Sequence, residues 1–149
     1  MKTIPAFLDY SRPWRFPNVY LFTGNSTVKN NGAIVMGRGA ALQVRDTYLG
    51  IDLSFGSLIP ISTSLMWVTV APSQVLGWFK VKNHWADPAE LSLIKAAVTE
   101  LKTLASERPS MLFHMNYPGI GNGKLSVDDV SEIVQTLPDN VLIYSGKAL

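Results

Sequence analysis

Cysteine is absent from the 149-residue chain, and histidine occurs only twice, at His84 and His114. The first absence excludes disulfides, thiolate metal sites and a cysteine nucleophile, and fits a reducing compartment. The second leaves a histidine-based zinc site short of ligands, so no metal and no cofactor is expected. Charged residues make up 16% of the chain and sum to +2, with lysines and arginines scattered rather than run together. Composition therefore does not indicate direct nucleic-acid binding, although Arg12, Arg15, Lys29, Arg38 and Lys124 could form a local basic patch. No apolar run approaches the length needed to cross a bilayer, and Met1 to Asp9 lacks the core of a signal peptide. The Asn25-Ser26-Thr27 sequon is then accidental. A soluble cytoplasmic protein is expected, in a host cytoplasm if its source is viral.

What the chain has is apolar substance and punctuation. At 47% hydrophobic, residues 1–149 suit one folded domain. Val19 to Thr23 is a β-branched and aromatic run that reads as a buried strand emptying into Gly24-Asn25-Ser26-Thr27. A helix follows from Ala40 to Tyr48, with Gly50 as its stop. Leu65 to Val70 and Val75 to Val81 read as two strands joined by a short turn. Asp87-Pro88-Ala89-Glu90 has the pattern of an N-cap, a proline at N1 and a glutamate at N3, opening a helix whose apolar face is Leu91, Ile94, Val98 and Leu101 and which ends before Pro109. Met111 to Asn116 is another strand. Ser126 then caps a helix with Asp129 at N3, Pro138-Asp139-Asn140 stops it, and Val141 to Tyr144 closes the order. Alternating strands and helices predict an α/β fold of three layers, α/β/α, around a mixed, largely parallel sheet.

Two glycine-rich segments occupy loops that lead from strands toward helices: Asn30 to Ala41, containing Met36-Gly37-Arg38-Gly39-Ala40, and Tyr117-Pro118-Gly119-Ile120-Gly121-Asn122-Gly123. In α/β sheets the binding crevice lies beyond the carboxyl ends of the strands, where such loops gather. Glycines let a ligand reach the amide hydrogens, and the helix N-terminus behind them favours negative charge. The pair predicts a pyrophosphate held between two loops. A dinucleotide fingerprint fails because Leu42 replaces its third glycine and no ribose-binding acid follows. A Walker loop fails because Pro118 stands at its first glycine and Leu125 follows Lys124. His114, within an apolar strand, reads as a core residue and His84 as exposed. The tryptophans read as packing, except Trp85, which is placed to stack on a ligand.

From about Val19 to Tyr144 the pattern resembles the macrodomain family, and within it the branch of DNA ADP-ribosyl glycohydrolase antitoxins and small phage macrodomains. Asn31, Met36-Gly37-Arg38-Gly39 and Ala40-Ala41 are similar to that branch's first loop, and Lys82-Asn83-His84-Trp85-Ala86-Asp87-Pro88 to its lysine motif. The resemblance implies ADP-ribose, or an ADP-ribosylated macromolecule, as partner. It implies that Asn31 bonds the distal ribose, with Asn25 beside it, that Gly37, Arg38, Gly39 and Ala40 contact the ribose and adjacent phosphate, and that Gly119, Ile120, Gly121, Asn122 and Gly123 close over the diphosphate. Asp9 is the candidate for the adenine amino group. By the same resemblance Lys82 attacks the anomeric carbon of the distal ribose, an amine that burial or a neighbouring cation would help to deprotonate. The second loop is about two residues shorter than in the hydrolases and lacks their assisting aspartate, since Asp128 and Asp129 belong to the helix start. Two activities stay open: hydrolysis, of an ADP-ribosyl bond or of ADP-ribose 1″-phosphate through water oriented by loop amides and Asn31 or Asn25, and non-catalytic reading or sequestration of the nucleotide.

Overall fold

In the computed structural model, which describes residues 1–146, six strands form one sheet. They are β1 (Lys2–Ile4), β2 (Asn18–Asn25), β3 (Leu65–Ala71), β4 (Gln74–Lys82), β5 (Leu112–Asn116) and β6 (Val141–Tyr144), in the spatial order β1-β6-β5-β2-β4-β3. Every neighbouring pair is parallel except β3 with β4, the hairpin expected around residues 71–74. Strand alternation sends Leu21, Phe79, Phe113, Met115 and Ile143 to one face, where α3 (Leu91–Glu107) and α4 (Val127–Val134) supply Ile94, Leu101, Val130 and Val134. It sends Phe22, Leu76 and Trp78 to the other, against Val44 of α1 (Gly39–Thr47) and Phe55 of α2 (Ile51–Leu58). The expected three-layer α/β architecture with a mixed, largely parallel sheet is what the chain adopts.

Three local expectations are corrected or extended. α3 starts at Leu91 with Glu90 at its N-cap and no side-chain cap bond, three residues after the expected start, because Asp87 and Pro88 belong to the turn that brings Ala89 onto the second glycine loop. Gly50, read as a stop, takes φ +80° and also begins α2, an element that periodicity did not flag in Ile51 to Leu58. β1 escaped notice because three residues carry no pattern, and its partner β6 lies far away in sequence. Ser126 does cap α4, its hydroxyl oxygen accepting from the Asp129 N–H at 3.2 Å.

The connection after β2 runs to α1 on one face, and that after β5 runs to α4 on the other. Adjacent parallel strands whose connections part in this way make a topological switch point, where a crevice opens beyond the strand ends.

Candidate functional site

A cavity of about 700 Å³ occupies that crevice, bounded by the C-terminal ends of β2, β4, β5 and β6, the segment before β2 and both glycine loops. Its size suits a nucleotide or dinucleotide-like molecule.

The first loop is built as a small folded arm. Asn25, buried at the end of β2, accepts the Thr27 N–H (2.9 Å) and donates to the Val35 carbonyl (3.0 Å), clamping the arm's two sides together. Val28 and Ile34 form an antiparallel bridge, and at the tip Asn31 accepts the Ala33 N–H at 3.0 Å. Asn25 therefore lines the cavity, whereas Asn31 stands at the exposed tip of the arm, outside the lining. Gly37, Arg38, Gly39 and Ala40 all line it. Gly39 takes φ +56°, and no side chain caps α1 at Arg38, so the first amides of that helix are left for a ligand.

The second loop turns on Gly119 (φ +75°) and Gly121 (φ +68°), passes through a single 3₁₀ turn at Gly121–Gly123 and leaves through Lys124 at φ +64°. Leu125 N–H donates to the Gly119 carbonyl (2.9 Å) and Ala89 N–H to that of Gly123 (3.0 Å), tying the loop to itself and to the start of α3. Gly119 to Gly123 all line the cavity, and Asn122 reaches the first loop: a Cβ on Gly39 would lie 3.0 Å from its amide nitrogen. The two glycine segments thus meet across the crevice.

Lys82, half-buried at the end of β4, lines the same cavity and donates to the Trp85 carbonyl at 3.1 Å. Its pKa is lowered, first by burial, then by the charges of Arg38 and Lys124, with Asp87 opposing. Trp85, 46% exposed, stands at the rim beside His84. Lys29, Arg38 and Lys82 are the charged residues of the lining, and no aspartate or glutamate is among its described residues. Asp9 lies outside it. Its carboxylate accepts from the Ser11 N–H (2.9 Å) and hydroxyl (2.5 Å), which hold its pKa down.

Several lining residues have no counterpart in the sequence reading. Phe7, Leu8 and Tyr10 come from the segment before β2, Thr23 and Asn116 from strand ends, and Tyr144 from the end of β6. Asn116, a polar residue between an apolar strand and a glycine loop, was the one available signal. His114 is the satisfied core residue expected, bonded to Asn18 Oδ1 (2.8 Å) and the Tyr144 hydroxyl (2.9 Å), and its burial lowers its pKa.

No protein-family model and no curated protein matches the sequence. Solved structures do. The chain is similar to the macrodomain of Mycobacterium tuberculosis DarG, with 25% identity, a TM-score of 0.72 and coverage of 95% of this chain and 96% of that one. The macrodomain of Thermus aquaticus DarG shares its fold at 19% identity and TM-score 0.74, over 96% and 95% of the two chains. So does Thermosipho africanus DarTG, solved in complex with ADP-ribose, at 17% identity and TM-score 0.68, over 87% of this chain and 38% of that one. With two glycine loops facing each other beyond the sheet and this likeness spanning almost the whole chain, the protein has the macrodomain fold.

Proposed function

We propose that the cavity binds ADP-ribose or a derivative of it, and that Lys82 takes part in hydrolysing the bond at the distal ribose. The observation that carries the binding is the charge of the cleft: both glycine loops and the uncapped start of α1 converge on a space lined by three cations and, among the described residues, no carboxylate. Such a space stabilises a diphosphate. Asn25, Gly37, Arg38, Gly39, Ala40 and Gly119 to Gly123 are the proposed contacts. Asn31 and Asp9 would reach the ligand only from the arm tip and the rim.

Lys82 supports hydrolysis because its surroundings enlarge the fraction of neutral amine at a given pH. The missing carboxylate favours a second reading, in which the protein holds the nucleotide without turning it over. Calorimetry with ADP-ribose tests the binding, and an absence of heat at millimolar ligand refutes it. Turnover of ADP-ribosylated DNA, ADP-ribosylated protein and ADP-ribose 1″-phosphate separates the two readings. Multiple turnover that disappears in Lys82→Ala establishes the hydrolase, and no turnover on any of the three establishes the reader.

A further inference from the structure

Beneath the two loops the cavity floor contains a closed chain of hydrogen bonds with one loose end. Asn116, the last residue of β5, accepts the Thr23 N–H through Oδ1 at 3.1 Å, and the same oxygen lies 3.1 Å from the Tyr10 hydroxyl, whose single proton it shares with the Leu21 carbonyl at 2.6 Å. A backbone N–H can only donate, so the Asn116 carboxamide has its oxygen toward Thr23 N and its nitrogen toward Thr23 Oγ1, to which it donates at 2.8 Å. Thr23 Oγ1 is thereby an acceptor inside the protein. Its own proton has no acceptor among the described residues, and the residue is half-buried and lines the cavity.

Thr23 lies two residues before the end of β2, the strand that opens into the first glycine loop, and Asn116 ends β5, which opens into the second, so the hydroxyl lies where the loops share a root. We infer that Thr23 is a specificity-determining residue that donates its hydroxyl proton to a phosphoryl oxygen of the bound nucleotide, with Asn116 and Tyr10 as positioning residues that aim it. The inference rests on the nucleotide-binding reading above. A hydroxyl whose lone pair is engaged and whose rotor is set in advance donates to a ligand acceptor with little ordering still to be done. Half-burial keeps the bond from being diluted by water, and a donor facing an anion is among the stronger kinds of hydrogen bond.

The test is calorimetry of Thr23→Val and Thr23→Ser against ADP-ribose, ADP and adenosine, with the melting temperature of each variant. Thr23→Val should weaken ADP-ribose and ADP alike by about tenfold or more, as expected for a lost bond to a charged group, and leave adenosine unaffected. Thr23→Ser, which keeps the hydroxyl, should restore binding of both to within about threefold of the wild type. Should Thr23→Val fail to fold, Thr23→Ala serves as the variant without a hydroxyl. Unchanged affinity for the two diphosphates in a folded hydroxyl-less variant overturns the inference. So does a loss that Thr23→Ser shares, or one that extends equally to adenosine, since either marks a merely structural role. If the wild type itself binds no ADP-ribose, the nucleotide reading fails instead, which keeps the two failures distinct.

Discussion

Gly56→Ala sets two opposed effects against each other, and the structure says which wins. Gly56 lies in α2 with no positive φ, so on helix propensity alone alanine would stabilise the fold by about 1 kcal/mol. The backbone of the first-loop arm, however, presses directly on this helix. A Cβ at Gly56 would overlap the Gly32 carbonyl oxygen and lie 3.0 Å from both the Gly32 carbonyl carbon and the Ile34 nitrogen. Ordinary carbon to oxygen contacts are about 3.3 Å or longer, so arm or helix must shift by about an ångström. The obstacle is backbone rather than a flexible side-chain end, and overpacking of this kind costs about 3 kcal/mol. The net effect is about 2 kcal/mol of destabilisation, visible as a fall in Tm of about 4–8 °C. The same displacement acts on Ile34, whose N–H is anchored to the Asp52 carbonyl at 3.0 Å, and so on the amides at Gly37 to Ala40 that follow it. Loss of one amide to phosphate bond should weaken ADP-ribose binding by about tenfold. Urea denaturation and calorimetry on the same variant read both numbers. A Gly56→Ala protein that is more stable than the wild type and binds equally well would refute the view that α2 sets the position of the first loop.

The remaining predictions concern Lys82 and two caps. Because burial and neighbouring cations lower the pKa of Lys82, a bound diphosphate should raise it again, so affinity is greatest below the lowered value and falls as pH rises through it. Calorimetry across the alkaline range should show that decline in the wild type and a flatter profile in Lys82→Met, whereas hydrolysis that uses the neutral amine would increase over the same interval. Ser126→Ala removes the α4 cap and should cost about 1 kcal/mol in urea denaturation, with ADP-ribose affinity unchanged. Asn140→Ala should cost about 1–3 kcal/mol in the same measurement, because the two Nδ2 hydrogens are shared at 3.0–3.1 Å among the carbonyls of Ala105 and Arg108, at the end of α3, and Met111, in the turn after it.

Asn140 illustrates how far a sequence can be read. Pro138-Asp139-Asn140 is visibly a break, but that its asparagine secures the end of a different helix depends on β6 folding back beside β5. The same division runs through the site. Met36-Gly37-Arg38-Gly39 and Pro118 to Gly123 were legible as tight loops beside the crevice because glycine at such positions has a local cause, the positive φ at Gly39, Gly119 and Gly121. Asn25 and Asn31 were not separable in that way. Two asparagines six residues apart in one loop look alike until the Val28 to Ile34 bridge turns one into the cavity floor and the other into an arm tip.

By itself, then, the sequence determined what local chemistry can determine: the order of the strands and helices other than β1 and α2 from apolar spacing, the Ser126 cap, the two glycine turns and the absence of metal-binding thiols. Tertiary structure alone decided what depends on distant partners. It partly buried Lys82 and brought Arg38 and Lys124 near it, which together lower its pKa, left the lining without a carboxylate among the described residues, and placed Tyr10, Thr23 and Asn116, up to 106 positions apart, in one hydrogen-bond chain. Charge fields and shared hydrogen bonds follow distance in space, and only the order of strands in the sheet sets that distance.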